Sequence, residues 1–495
     1  MAATAAPFAA LAETKLSVAA AAFPPEWGNP YASTSITRLP LAAAVFDPLT
    51  LVTADGALLP WLAESWRQTG PTSWQLTLRE GIKYSDGEPF DAAAVVAAIA
   101  YVTGPAAARE PVARELTEVA GARALDARTL EIVTRAPDPL LPRRLSLIYP
   151  PAPGAWARLG RDGFARAPVG TGPYRLQEAT PNRLRLLAVA GAWRAAPTDR
   201  LEFLALPEPS ARRAALTTGA IDLAPSSISA DQFVELAAEG GQVIVDRVPA
   251  VVALAFNAVK DPRFADARVR RALTMAVNRE AIVAALLGGK SRVAAQPAPF
   301  GTFGFNESLE PLPYDPDAAR ALLAEAGHAG LSFEMEVPTG AVLYPDVFQQ
   351  VASDLARIGV RMTVNVIAQQ TLLERIQSGG WTGAAAAIPF FTPIADALYP
   401  MRQHSCLWHA PWYCDEDATV AIAAAFAEAD PDARRILTER VMARAHDDAQ
   451  ALFLYETAAF MGAGPRIAQV PIDFGFIRYE GIRFTALGPA PAARR

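Results

Sequence analysis

Two short apolar runs, Val251–Phe256 and Leu452–Tyr455, contain no charged residue and are too brief to stand as helices, so each reads as a strand buried on both faces. A chain of 495 residues exceeds the roughly 250–300 residues that one hydrophobic core serves, so more than one lobe is expected. A doubly buried strand is what passes from one lobe to the next. The chain is therefore expected to cross at Val251–Phe256 and to return at Leu452–Tyr455.

The flanking patterns are those of an α/β protein. Leu16–Ala19 reads as a first strand. Trp74–Leu78 alternates as a half-buried strand, and the turn-rich Arg79–Gly87 after it predicts a hairpin. Asp91 caps a helix that Gly104-Pro105 ends. Strands follow at Tyr174–Leu176, Arg183–Ala188 and Leu201–Leu206, then a helix at Ala211–Thr218 and a strand at Ile221–Ala224. Beyond the first crossing, Asp266 caps a helix with Val269, Ala272, Leu273, Ala276 and Val277 on one face; Arg268, Arg270 and Arg271 read as its solvated face. Asn278 and Asp315-Pro316 open further helices that Gly288-Gly289 and Gly327 end. A strand, a helix over 342–358, a strand at Val360–Ile367 and a long helix over 431–446 complete a second α/β unit.

A net charge of −6 with no long basic run excludes nucleic acid as the main partner, because phosphate binding needs clustered Lys and Arg. No stretch reaches the ~18–20 apolar residues of a membrane-spanning helix. Ala10-Leu11-Ala12 has the small-x-small pattern of a signal-peptidase site, so residues 1–12 read as a signal-peptide remnant, the alternative being an ordinary flexible N-terminus. The two cysteines, Cys406 and Cys414, suit a disulfide in an exported chain. With His404 and His409 beside them zinc is the competing reading, although the C-x2-C knuckle is missing. No G-x-S-x-G or H-E-x-x-H motif is present, and Gly289-Lys290-Ser291 lacks the first glycine of a phosphate loop. No catalytic residue, metal or cofactor is assigned.

Leu62-Ala63-Glu64-Ser65-Trp66 and Trp74–Gly87 closely resemble the signature of the family 5 extracellular solute-binding proteins. The resemblance recurs in family order at Pro168–Tyr174, Arg213–Asp222, Phe256-Asn257, Asp266–Arg279 and Tyr314–Gly327. It implies an α/β periplasmic-binding-protein clamshell, two lobes joined by a two-strand hinge with an extra subdomain on the first lobe. The divisions expected are 13–45, 167–249 and 456–495 for lobe I, 46–166 for the subdomain and 250–455 for lobe II. The function implied is capture of a small molecule or short peptide in the periplasm for an ABC transporter permease and its ATPase subunits, by a monomer and without catalysis. A solute sensor or a chaperone-like protein of the same fold is the alternative, and a hydrolase a more distant one.

In dipeptide-binding relatives a Gly-Trp like Gly380-Trp381 is followed by an aspartate that pairs with the peptide ammonium; here alanines 384–387 take that place, and Asp396 is the substitute nearest in sequence. Candidate ligand contacts are Ser33, Thr34 and Ser35, Phe303 and Phe305, Trp381, Phe390, Phe391 and Thr392, Asp396, Arg402, Trp408 and Trp412. A cleft-facing Arg402 would suit a carboxylate or phosphate.

Overall fold

The computed structural model describes residues 14–32, 38–225, 232–339, 344–488 and 490–491; the expected signal-peptide remnant lies outside them. The two apolar runs prove to be the inner halves of two long strands, Gln242–Phe256 and Ala451–Ala463. These pair antiparallel at the centre of a 12-stranded sheet. Beyond Ala451–Ala463 lie Leu223–Ala224, Thr14–Ala20, Arg200–Ala205, Arg183–Ala188 and Tyr174–Thr180, forming the first lobe. Beyond Gln242–Phe256 lie Ala385–Ala387, Ser332–Pro338 and Arg361–Ile367, forming the second.

Each long strand therefore serves both lobes. Gln242–Arg247 pairs with Ala458–Ala463 on the first-lobe side, whereas Val251–Ala255 pairs with Ala451–Glu456 on the second. The register breaks between Arg247 and Val251, where Pro249 has no N–H to give a ladder. The break thus falls where the pair changes lobes. The outer halves escaped the sequence reading because Gln242–Asp246 is half exposed and polar at both ends, so it lacks the continuous apolar signal.

A separate four-stranded sheet, in the order Ala63–Gly70, Ser73–Leu78, Thr129–Thr134, Val119–Ala124, builds the subdomain. Alternation places Trp74, Leu76 and Leu78 in its core with Leu130 and Ile132. The hairpin expectation needs correcting. Ser73–Leu78 pairs with Ala63–Gly70 and Thr129–Thr134, and Arg79–Phe90 only folds back on itself through a bridge between Lys83 and Pro89. A strand's periodicity shows which face is buried, not which partner lies beside it. Helix Ala92–Val102 follows, with the Asp91 carboxylate accepting from the Ala94 N–H as expected.

In the second lobe Asp266, Asn278, Asp315 and Asp430 all cap their helices. The arginine face also needs correcting. Arg270 is buried and donates to the carbonyls of Phe264 (2.7 Å) and Asp448 (2.7 Å). Arg279, on the next helix, donates to Phe453 O on the return crossing (3.1 Å). Burial lowers the Arg279 pKa to about 10, which leaves it charged at neutral pH. Guanidinium groups can be buried in this way because their five N–H donors are met by carbonyls.

Candidate functional site

Where the lobes face each other the chain encloses a cavity of about 60 Å³. Leu51, Leu147 and Tyr149 form one wall, Phe391 and Pro393 the other, and the hinge residue Pro249 lies between them. Phe474 and Phe476, from the C-terminal return to the first lobe, add aromatic surface. Its polar groups are few. The Ser146 hydroxyl donates to Arg143 O at 2.7 Å, and Asp473 accepts from the Ala54 N–H at 2.9 Å and lies 2.9 Å from Arg478. Burial raises the pKa of Asp473 and of Tyr149.

Two turns bring the lobes together beside this cavity. Ala395 and Phe474 both hold a left-handed backbone, each with φ of 48°. Side chains rarely adopt this conformation, and surrounding contacts must hold it. Here the holding contacts join the lobes: Ala395, Phe474 and Val52 form a small apolar cluster. Arg143 of the subdomain is buried and donates to Ala395 O (3.2 Å) and to Gly56 O (2.8 Å). Nearby, the Tyr399 hydroxyl donates to the Glu115 carboxylate, and Arg402 lies 3.9 Å from Glu118. The second lobe thus closes on the subdomain through one apolar contact and several polar ones.

Of the expected ligand contacts, Phe391 borders the cavity. Its neighbour Phe390 is buried behind it, stacked on His404 at 3.6 Å. Thr392 is also buried; its hydroxyl accepts from the Asp396 N–H, and its own N–H donates to Pro249 O. Asp396 cannot serve as a free carboxylate, because it is wholly buried and paired with Arg434 at 2.8 Å. The Arg434 guanidinium in turn lies 4.0 Å from the centre of the Phe303 ring, and Phe305 packs against Phe300.

Trp381 and Trp412 pack together at 5.1 Å in the core of the second lobe. Trp408 donates to Ile376 O at 3.3 Å, and Arg402 is largely exposed. Neither the tryptophans nor Arg402 borders the cavity among the described residues. Ser33, Thr34 and Ser35 lie outside the described residues. Cys406 and Cys414 form a disulfide, which settles the cysteines against the zinc reading.

Sequence reasoning missed Leu51, Leu147, Tyr149, Asp473 and Phe474. Tyr149 stands before Pro150-Pro151, and Asp473-Phe474-Gly475 has the composition of a tight turn. Neither signal says that the turn faces a cavity.

The model for bacterial extracellular solute-binding proteins, family 5 middle, matches residues 57–405. The chain belongs to the family 5 extracellular solute-binding proteins. The nickel-binding periplasmic protein of Escherichia coli K12 is 26% identical over 466 residues, 86% of each chain. The dipeptide-binding protein of the same organism is 29% identical over 309 residues, 59% of this chain and 57% of that one. HbpA2 of Haemophilus parasuis superposes with a TM-score of 0.83 at 19% identity, over 95% of this chain and all of the other, a likeness that establishes the fold. The clamshell expectation is borne out, and so is its two-strand hinge. Family 5 proteins are periplasmic binding proteins that capture solutes for ABC transporters, so the cavity between the lobes is where capture is expected.

Proposed function

We propose that this family 5 protein binds a compact, largely apolar or aromatic organic solute in the cleft and hands it to an ABC permease and its ATPases, as a monomer and without catalysis or nucleic-acid binding. The observation that carries this reading is the lining. Leu51, Leu147, Tyr149, Phe391 and Phe474 surround the cavity, with Ser146 and Asp473 as the polar contacts. Ligand pockets that are mostly apolar with a few fixed polar groups have this composition.

A free peptide fits less well. Alanines replace the expected aspartate after Trp381, Asp396 is held by Arg434, and Asp473 already has Ala54 and Arg478. An ammonium buried without a carboxylate partner would cost several kcal/mol. The apolar surface faces inward between the lobes, which favours capture over a chaperone-like groove. At about 60 Å³ the cavity is smaller than the roughly 300–1,000 Å³ of small-molecule pockets. Loading therefore requires the lobes to part about the break at Pro249 and to close again on the solute, a hinge motion driven by differential affinity for the closed form. The divisions 13–45, 46–166, 167–249, 250–455 and 456–495 belong to the same reading.

A thermal-shift screen against aromatic acids, opines, dipeptides and nickel chelates tests the proposal. A solute at a hundredfold excess over Kd stabilises the protein by about 2.7 kcal/mol. The largest shift is expected among aromatic or apolar organic solutes; a shift with free dipeptides alone would contradict the reading.

A further inference from the structure

The subdomain and the second lobe also meet at two glycines. Thr50–Val52 and Leu58–Pro60 form a hairpin in the subdomain, and its turn holds Gly56 with φ of 80°. Against it lies a second-lobe turn over residues 299–302, closed by the Thr302 N–H donating to Pro299 O at 3.3 Å, in which Gly301 has φ of 84°. Here backbone touches backbone. A Cβ built on Gly56 would overlap Gly301 O, and one built on Gly301 would lie 2.8 Å from Ala54 O and 3.2 Å from the Asp55 Cα. Backbone atoms of a packed turn cannot swing aside as the tip of a long side chain does, so the two surfaces approach this closely only while both positions lack a side chain.

Each turn is anchored on its own side. The Ala54 N–H donates to Asp473 at 2.9 Å, and the Gly56 N–H to Thr53 O at 2.8 Å. Just after the second turn, the Phe303 N–H donates to Ala395 O at 3.0 Å and the Ala397 N–H to Phe303 O at 2.9 Å. The Phe303 ring then bridges the contact: its centre lies 5.2 Å from the Arg143 guanidinium on the subdomain side and 4.0 Å from that of Arg434 in the second lobe, and guanidinium groups at such distances are attracted to a ring. No backbone hydrogen bond joins the two turns among the described residues, so they part and meet again without breaking one.

We propose that Gly56 and Gly301 are positioning residues for solute capture. Neither borders the cavity among the described residues, yet their bare backbones let the subdomain and the second lobe meet in the closed form, and a side chain at either position holds them apart. The proposal rests on capture in the cleft, as proposed above. Apparent affinity falls with the fraction of molecules able to reach the binding-competent form, so a substitution here weakens every captured solute alike, whatever its chemistry.

The test compares Gly56→Ala and Gly301→Ala with two matched substitutions. Gly81 in the subdomain has φ of 77° and Gly359 in the second lobe φ of 83°, and a Cβ on either meets nothing within 4 Å. Gly81→Ala and Gly359→Ala therefore carry the same left-handed strain without the overlap. Each protein is titrated with the aromatic acid, opine, dipeptide or nickel chelate that gives the wild type its largest thermal shift, and its radius of gyration is measured by small-angle X-ray scattering at the concentration that saturates the wild type. Gly56→Ala and Gly301→Ala should bind at least tenfold more weakly and stay more expanded, whereas the matched pair should bind and close as the wild type does; without solute all four should melt at similar temperatures. Wild-type affinity in either contact variant, equal weakening in the matched pair, or melting of the contact variants far below the matched pair would overturn the proposal. A wild type that binds none of the four classes would instead contradict capture in the cleft, and this proposal with it.

Discussion

The subdomain sheet and the seam between the lobes are held by opposite kinds of contact. In the sheet, two of the three strand pairs join neighbours in sequence and alternate side chains fill one core, while Arg128, bound to Glu64 and Glu80, is only partly buried. At the seam the charges are inside. Arg434 and Asp396 are buried as a pair, Arg143 is buried against carbonyls, and Tyr399 meets Glu115 across 284 positions of sequence. Apolar packing tolerates small adjustments, whereas a buried polar pair is either made or costly. A seam built this way favours definite closed contacts over a graded range, which suits a receptor that must signal occupancy by shape.

The sharpest way to break this comparison is to orphan one buried charge. Arg434→Met should destabilise the protein by about 3–5 kcal/mol, because Asp396 is left buried and unpaired. Arg128→Ala should cost no more than about 1 kcal/mol. Urea unfolding of the two variants reads both; similar small losses would erase the distinction.

The disulfide provides a local, covalent contrast. Replacing Cys406 and Cys414 by serine should cost about 2–3 kcal/mol through freed loop entropy, measured by the same unfolding experiment.

A third test concerns the hinge. Asp246 lies on the first crossing strand, and its pKa is raised from 3.8 to about 7, chiefly by burial and in smaller part by the nearby Asp473, against the opposing hydrogen bond from the Gly475 backbone. Between those two values the folded protein holds a proton that the unfolded chain has released. Asp246 therefore costs stability progressively as pH rises through that window, by up to about 1.4 kcal/mol per pH unit, and the cost is complete above pH 7. Asp246→Asn should flatten this part of the stability profile and be the more stable form at pH 8. Parallel profiles for the two proteins would show that the carboxyl is not titrating in the hinge.

The smallest effect separates closure from folding. Tyr399→Phe removes a bond between the second lobe and the subdomain, so it should weaken solute binding by roughly fivefold, about 1 kcal/mol, with little change in melting temperature without solute. A matched loss of both would make the contact an ordinary stabilising one.

The same contrast explains what could be read from the sequence. The crossings, the helix caps and the strands around Trp74 were legible because each leaves a local pattern of periodicity or capping. Arg270 was misread because a cation between apolar helix positions normally faces water, and only the fold brings the carbonyls of Phe264 and Asp448 to it. The candidate contacts clustered in aromatic loops, yet Trp381 and Trp412 stabilise the second lobe's core. The cavity wall at Tyr149 and Phe474 comes from turns whose facing is set by the approach of distant segments, which leaves no periodic trace.

The most direct test of solute capture in the cleft is isothermal titration of the strongest solute from the thermal screen into the wild-type chain and into Leu147→Trp, which fills the cavity from the first-lobe side. The account predicts saturable binding by the wild type and at least a hundredfold loss in Leu147→Trp, with Arg128→Ala binding as the wild type does. Equal affinity in the wild type and Leu147→Trp would place the solute elsewhere and contradict it.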